Sequence, residues 1–446
     1  MQQIIAAELL CATSEEGFSL DELVITLREV MAQEGMAAIA RLILELIDEN
    51  LALAHVSGRA RLKRTCACGH DHYELKDRRE RQLRTSLGKI CLRWRRLECR
   101  TCGKDFVPLR AFLGLERWQS KTGELERIVV EVMSEQSYRR GSAHLDTIGE
   151  VPVPRTTAHR WVAQTDASQW NQPESQPLTL MADGTGFKRR PDQATGIGNH
   201  GEVRVVVGLT KDRKWVGYGV WTQESWAQIA GQLRGTGPEP ALKAQMFVSD
   251  GEKGLADNLA QLANHAQRCR WHVLEELKYI LWQDGAKVKE QRQPIRDLAA
   301  VLAIDLPQGA LEPVQAEQKE SVRQQIALAQ KPLEELIERL RAKQYDKAAG
   351  YLAAAKARMF RWLEFWLETG LVSPATTSWL ERLMRELGRR IKKIGFGWTD
   401  KGAAQMARIL LRRVTDAEEW AQYWKRRLRL DGRVQINFRG AKTVTA

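Results

Sequence analysis

Hydrophobic residues occur in two patterns along the chain, one typical of helices and one typical of strands. From 20 to 53 the apolar residues recur at steps of three and four, which predicts an amphipathic helix. After residue 177 they form short runs, which are typical of buried strands. The predicted strands lie at 178–183, 203–209, 215–221, 245–249 and 268–273, and helices are predicted at 224–233 and 252–263. This order of elements predicts a mixed α/β sheet.

Helical patterns account for most of the remaining chain. Short helices from 124 onwards end in the basic segment 154–162, an arrangement typical of a helix-turn-helix. Residues 276–370 are rich in Glu, Lys, Gln and Arg and predict a helical insertion, which either grips a partner or acts as a dimerisation or spacer domain. Further helices are predicted at 376–392 and 403–413.

The length and the charge of the chain indicate how many domains it has and what kind of partner it binds. A chain of 446 residues is expected to form two to four domains. Lys and Arg number 69 against 56 acidic residues, and the formal net charge of +13 favours a polyanionic partner such as DNA or RNA. The first residues lack the basic start and long apolar run of a secretion signal, so we expect a cytoplasmic protein that does not enter a membrane.

Four of the seven cysteines lie in two close pairs on either side of a predicted hairpin that turns at Gly88. They are Cys66, Cys68, Cys99 and Cys102. The second pair has the Cys-x-x-Cys spacing of a zinc knuckle, whereas the first pair is one residue short of it. We expect a structural zinc ion that ties a small ribbon together, with His70 or His72 as alternative ligands.

Two aspartates follow apolar runs and are each followed by glycine. Asp183 comes near the end of the first predicted strand, and Asp250 comes at the tip of the fourth. A single Asp-Gly after a strand is usually only a turn. Two of them in this order of strands suggest a pair of carboxylates that holds Mg²⁺ or Mn²⁺. Two such ions are suited to phosphodiester chemistry because they stabilise both the attacking and the leaving oxygen.

Cys269 and His272 lie three positions apart on the last predicted strand. As a zinc site the pair is incomplete, and a buried cysteine beside a core histidine is the simpler interpretation. With the aspartates, however, the pair completes a recognisable set: Asp-Gly-Thr from 183, Ser-Asp-Gly from 249 and Cys-x-Trp-His from 269. This set resembles the Mutator-like transposases, and the bacterial insertion-sequence transposases of the ISKra and ISLre groups still more.

The resemblance covers most of the chain, most strongly 178–275 and 371–413. It implies a DDE transposase whose core has the ribonuclease H-like fold, which shares the predicted order of strands and helices. It also implies that the third acid follows a helical insertion, in a motif that here begins at Thr376. Glu381 is then the third metal ligand. Glu386 is the alternative, and five positions apart on one helix the two acids face different directions.

The resemblance also suggests roles for nearby basic residues. His272 would hold the scissile phosphate or a metal-bound water. Arg385, Arg389 and Arg390 would line the DNA track, although an arginine row on a helix is often just a solvated surface. In the N-terminal half, the basic strand containing Arg93, Arg95 and Arg96 and the last helix of the helix-turn-helix are expected to contact DNA. The residues expected on that helix are Arg155, His159 and Arg160.

The sequence therefore predicts a multidomain α+β protein that contacts transposon ends and target DNA as at least a dimer, located at the nucleoid when bound. The predicted segments are an N-terminal helical segment (1–59), a zinc-ribbon-like domain (60–110), a helix-turn-helix-like domain (111–168), a linker (169–177), the core strands (178–275), the helical insertion (276–370), and the C-terminal core helices with a basic tail (371–446). Two alternatives remain: a non-catalytic DNA-binding regulator derived from a transposase, and a nuclease without strand transfer.

Overall fold

A computed structural model describes residues 35–57, 65–149, 151–167, 176–191, 200–237, 241–307, 315–394 and 397–430. Its contacts divide the chain into two compact units. The first comprises Met1–Trp161 with Arg427–Ala446, and the second comprises Val162–Arg426. The predicted helix before residue 35, most of the linker 169–177 and the tail after residue 430 lie outside the described residues.

The first unit combines a hairpin with helices. Its elements are α1 (Met36–Val56), β1 (Tyr73–Thr85), β2 (Gly88–Cys99), β3 (Asp105–Phe106), α2 (Pro108–Phe112), α3 (Gly123–Glu135), α4 (Tyr138–Thr147) and α5 (Arg155–Gln164), whose end passes into the second unit. β1 and β2 pair antiparallel and close at Thr85 opposite Gly88, which confirms the predicted hairpin. Gly88 has a φ of +97°, a conformation that favours glycine.

An apolar cluster joins α1 to the hairpin. Alternate residues of β2 point inwards, among them Ile90, Leu92 and Trp94, and Leu51 of α1 packs against them. The hairpin is thus stabilised by burial on one face, while charged residues cover the other. A single two-stranded hairpin is marginal in water, so packing against this helix adds stability to the hairpin.

The second unit is built on a five-stranded mixed sheet. Its elements are β4 (Thr179–Lys188), β5 (His200–Leu209), β6 (Trp215–Trp221), α6 (Trp226–Arg234), β7 (Ala244–Ser249), α7 (Lys253–Leu259), β8 (Ala263–Arg268), α8 (Arg270–Gln283), α9 (Val288–Leu302), α10 (Ala316–Ala342), α11 (Asp346–Lys356), α12 (Arg361–Thr369), α13 (Ser378–Leu387), α14 (Asp400–Thr415) and α15 (Ala417–Leu428). The strand order is β6-β5-β4-β7-β8, with β4 antiparallel to β5 and parallel to β7.

Helices cover both faces of this sheet. Leu180 and Ala182 of β4 point towards α6 and α7 and share a core with them. Because side chains alternate along a strand, Met181 and Asp183 point to the opposite face. There α13 packs against β4, and α14 packs against β5 and β6. The two helices that follow the long insertion therefore lie on the face that carries Asp183.

The insertion has an apolar core of its own. Helices α8 to α12 bury a large set of side chains, including Leu277, Leu333, Leu352 and Trp366, each no more than 1% exposed. A helical segment between the last strand and the final helices was predicted, and these helices lie there. Among the described helices, none combines the length and the apolar character needed to cross a bilayer.

Two predicted strand boundaries were wrong. β8 ends at Arg268, and the predicted strand at 268–273 is instead the start of α8, because the carboxyl end of the strand passes directly into a helix at Arg270. β4 continues to Lys188, five residues beyond its predicted end. The additional residues remain in register with β5, so Asp183 lies mid-strand, just past the point at which β4 stops pairing with β7.

We predict that Asp48→Ala destabilises the first unit by about 3 kcal/mol, because it leaves the partly buried Arg95 guanidinium and backbone N–H without their acceptor. Asp48 of α1 accepts the Arg95 backbone N–H at 3.1 Å and its guanidinium at 2.9 Å, and its side chain is only 2% exposed. Urea unfolding of the full chain, followed by circular dichroism, measures the loss. Glu49→Ala, on a 56% exposed carboxylate 3.9 Å from Arg95, should change stability by less than about 0.5 kcal/mol. Equal effects of the two substitutions would contradict the prediction.

Candidate metal centre

Asp183 lies in a setting that disfavours its charge. It is partly buried on β4, where Oδ1 accepts the N–H of Gly184 at 2.7 Å. Burial raises the pKa of Asp183 to about 7, and the charges of Asp250 and Glu252 act in the same direction. The Gly184 N–H and His272 act in the opposite direction but do not offset burial. A carboxylate of this kind gains much from a nearby cation.

Asp250 comes directly after β7, as the sequence predicts. Its Oδ1 accepts the N–H of Glu252 at 2.9 Å, which forms a tight turn after the strand. Gly251 has a φ of +89°, and a Cβ there would collide with the Arg268 guanidinium. The glycine after Asp250 is therefore favoured by the backbone conformation, and a larger residue would also displace the Arg268 guanidinium.

Glu381 occupies the first turn of α13. Its Oε1 lies 2.9 Å from the hydroxyl of Thr377, which is 3% exposed, and 3.8 Å from Nδ1 of His272. The helix is also fixed by a parallel stack of Trp379 on Trp215 of β6, with ring centroids 3.8 Å apart. Glu381 thus projects from a helix held against the sheet.

His272 connects the acids electrostatically. Burial lowers its pKa, but contact with Cys269 and the charges of Glu381 and Asp250 raise it, so that the net shift is upwards. The His272 charge also lowers the pKa of Asp183. Such effects require proximity, so His272 lies within electrostatic reach of all three predicted acids. The structure therefore gathers Asp183, Asp250, Glu381 and His272 in one region.

The three acids are not the most tightly clustered group. Among the described residues, two groups of His, Cys, Asp or Glu have ligand atoms that all lie within 4.8 Å of one another, and the three acids are not one of them. One of these groups is Cys269, His272 and Glu381. Because two catalytic ions stand about 3.5–4 Å apart, carboxylates that bind different ions need not approach each other this closely.

The alternative acid Glu386 has a different environment. Its carboxylate pairs with Arg389 at 2.8 Å, one turn further along the helix, rather than with His272. Arg385 is exposed, whereas Arg390 is 1% exposed and stacks over Trp398 at 5.0 Å. The predicted DNA-lining role of Arg390 is therefore corrected, because a buried guanidinium is not presented to solvent.

The other group within 4.8 Å is the four predicted cysteines. Sγ of Cys66 lies 3.5 Å from that of Cys102, and Sγ of Cys68 lies 3.7 Å from that of Cys99. Backbone N–H groups of Cys102 and Thr101 lower the pKa of Cys99 to about 6, so this thiol ionises readily. The short Cys66-x-Cys68 spacing therefore does not prevent convergence. His70 lies outside the group, and its Nδ1 contacts the carbonyl of Cys68.

Some of the basic residues predicted to contact DNA in the first unit form ion pairs with carboxylates, and others are exposed. Arg95 is bound to Asp48, and Arg96 bridges Asp77 and Asp105, so neither is free to contact phosphates as predicted. Buried Ala158 and Trp161 define the inner side of α5. The residues exposed on α5 include Arg155, His159 and Arg160, and their contact with DNA stays a prediction.

No known protein family matches the chain, and a search of curated proteins gives no match either.

Sequence reasoning missed two contributors to this site. Thr377 contacts Cys269, His272 and Glu381 at once, yet in the sequence it is only one residue of a Thr-Thr-Ser run. The charge of Glu252 raises the pKa of Asp183, although Glu252 is not on the same strand. In the sequence, only its position two residues after Asp250 could have indicated that Glu252 lies near the site.

We predict that Asp183→Asn stabilises the metal-free protein at pH 8 by up to about 4 kcal/mol. The folded pKa of about 7 exceeds the unfolded value of about 3.9, so unfolding releases a proton between these values and stability falls as pH rises through this window. The advantage of the variant should disappear by about pH 4. Urea unfolding in a chelator at several pH values measures it. Asp257→Asn, at an exposed site on α7, serves as the control and should show no such trend.

Proposed function

We propose that this chain is a metal-dependent DNA-cleaving and DNA-joining enzyme, a transposase of the DDE type. The observation that carries the proposal is the grouping of Asp183, Asp250 and Glu381 around His272. These residues come from β4, from the turn after β7 and from α13, which are far apart in sequence. A strongly raised pKa at one of these acids, Asp183, is typical of a functional site.

The sheet supports a ribonuclease H-like core. Three antiparallel strands, β6-β5-β4, continue into the parallel strands β7 and β8, and helices lie on both faces. This is the strand order expected of that fold. The central strand β4 carries the first acid and its parallel neighbour β7 ends at the second, so the topology itself brings the two aspartates together.

The donor set fits hard divalent cations. Carboxylate oxygens are the ligands that Mg²⁺ and Mn²⁺ prefer, and such ions keep positions open for water and substrate phosphate. When bound, they supply charge stabilisation to the attacking and leaving oxygens of a phosphodiester. Asp183, Asp250 and Glu381 would hold them.

The protein's own residues then position the DNA. His272, whose pKa is raised by Cys269, Glu381 and Asp250, retains a proton more readily than an ordinary histidine. It is therefore suited to donate a hydrogen bond to a phosphate oxygen beside the acids. Water attack on the phosphodiester at the transposon end would break its P–O3′ bond and leave a 3′-OH and a 5′-phosphate. In-line attack of that 3′-OH on a target phosphodiester would join the strands and release a 3′-OH of the target.

Cleavage and joining of a transposon-end duplex test the proposal. The DNA is taken from beside the gene, and Mg²⁺ or Mn²⁺ is supplied. Each of Asp183→Ala, Asp250→Ala and Glu381→Ala should reduce product formation at least about a thousandfold, because several kcal/mol of transition-state stabilisation depend on the bound metal.

Glu386→Ala is the matched control on the same helix and should retain activity within a few-fold. Loss of activity in Glu386→Ala but not in Glu381→Ala would reassign the third ligand. A wild-type protein that binds transposon ends but never cuts them would favour the regulator, and cleavage without joined products would favour the nuclease.

We also propose that the four-cysteine group holds a structural zinc ion in a ribbon. Tetrahedral zinc with Zn–S bonds of about 2.3 Å places sulfur atoms about 3.8 Å apart, close to the two Sγ separations of 3.5 and 3.7 Å. The cluster joins the start of the ribbon to the end of β2, where Tyr73, Leu97 and Phe106 form only a small core. A metal ion would add the stability that this core lacks.

Substitution of Cys102, the exposed member of the group, tests this zinc site with little disturbance of packing. Cys102→Ser should remove one equivalent of zinc and lower the unfolding temperature of the first unit. Metal analysis and differential scanning calorimetry measure the two effects. Unchanged zinc content in the variant would exclude the site.

A further inference from the structure

A cysteine, a histidine and a glutamate lie together beside the predicted acids of the second unit. Cys269 caps the start of α8, His272 lies on its first turn, and Glu381 approaches from α13. In the sequence, Cys269 and His272 are an incomplete pair, but the fold supplies a third ligand atom within 4.8 Å of both. We propose that Cys269, His272 and Glu381 form a binding site for zinc or another thiophilic divalent cation, distinct from the four-cysteine group.

The fourth corner of this site is the hydroxyl of Thr377. Its Oγ1 lies 3.3 Å from Sγ of Cys269, 3.3 Å from Nδ1 of His272 and 2.9 Å from Oε1 of Glu381. Nδ1 and Oε1 are themselves 3.8 Å apart. A tetrahedron with zinc at its centre and ordinary bond lengths has edges of about 3.4–3.6 Å. Four of the six separations in this set are therefore near those of a zinc tetrahedron, and the two from Sγ of Cys269 to His272 and Glu381 lie below 4.8 Å.

Burial and access also suit a bound ion. Cys269 is fully buried, and the N–H of Thr377 points at its sulfur from 3.4 Å. The side chains of His272 and Glu381 are 22% and 26% exposed, so solvent reaches the site from their side. Binding replaces the thiol proton of Cys269, which passes to solvent, and requires the neutral form of His272. No change of oxidation state is involved.

The consequence is competition for Glu381. Its Oε1 contributes to the Cys269 site, and the same carboxylate is the third ligand for magnesium under the proposed function. An ion with thiolate and imidazole ligands would hold this carboxylate and exclude the harder cation. Zinc would therefore inhibit cleavage by binding this site. This regulatory part rests on the proposed function, whereas zinc binding itself does not.

Counting zinc in the full chain tests binding without reference to activity. The metal-free protein is loaded with Zn²⁺, passed through gel filtration with a weak chelator, and measured by mass spectrometry of the metal. We expect two equivalents in the wild type and one in Cys269→Ser, which keeps the size of the side chain but loses the thiolate. His272→Gln is a second variant in case the first does not fold, and it should also hold one equivalent.

Cys91→Ser is the matched control. Cys91 is a partly buried cysteine of β2 whose sulfur contacts Glu80, outside both groups, so this variant should keep two equivalents. If the wild type saturates at one equivalent, a folded Cys269→Ser protein that keeps this equivalent overturns the proposal. Two equivalents retained in a folded Cys269→Ser or His272→Gln protein would overturn it equally.

Inhibition is measured separately, as the zinc concentration that halves magnesium-dependent cleavage. Each variant is compared with its own zinc-free rate. This concentration should rise at least about tenfold in Cys269→Ser and stay unchanged in Cys91→Ser. Equal sensitivity of both variants would refute the competition while leaving cleavage itself established. If the wild type does not cleave DNA, the proposed function fails but the zinc count still decides whether the site exists.

Discussion

Burial of the Asp183 carboxyl beside other acids is the constraint on which the acidic site of the second unit depends. Asp183 is partly buried close to Asp250 and Glu252, and burial disfavours its charged form. Folded chains tolerate such a cost where a ligand offsets it. The charge of His272 lowers the pKa of Asp183 but does not offset burial. The raised pKa of Asp183 is thus an electrostatic reason for this region to bind cations.

The surrounding elements keep this charge in place. α13 is held by the stack of Trp379 on Trp215 and by the contact of its N-cap residue Thr377 with Cys269. α8 starts at Cys269, whose backbone N–H donates to the carbonyl of Ser249 at the end of β7. Each helix that carries a site residue is therefore tied to the sheet near its first turn. This arrangement gives the rigid support that metal ligands need.

Hard and soft ligands share one carboxylate at this site. Oxygen ligands favour magnesium and manganese, whereas a thiolate and an imidazole favour zinc. Under the two proposals Glu381 belongs to both sets of residues, so magnesium and zinc would compete for its carboxylate. The four-cysteine group in the first unit is different in kind, because its ligands are uniformly soft and none of them is a carboxylate.

The local pattern of residues was enough to predict several elements of the structure. The hairpin turn at Gly88, the strands over 203–209 and 215–221 and the placement of Asp250 after its strand follow from alternation, glycine and the lengths of apolar runs. These features depend on residues close in sequence, so they can be predicted without knowing the fold. The end of β4 and the start of α8 could not be predicted in this way, because pairing with β5 and packing of the helix decided them.

The sequence by itself determined which residues are capable of chemistry: two Asp-Gly pairs after strands, paired cysteines, and a Cys-x-x-His step. Only the tertiary structure decided which of them meet. It placed Glu381 rather than Glu386 beside His272, buried Arg390, and brought Thr377 to Cys269 across more than a hundred residues of chain. Such contacts depend on helix rotation and on packing between distant segments, and neither property is encoded in local spacing.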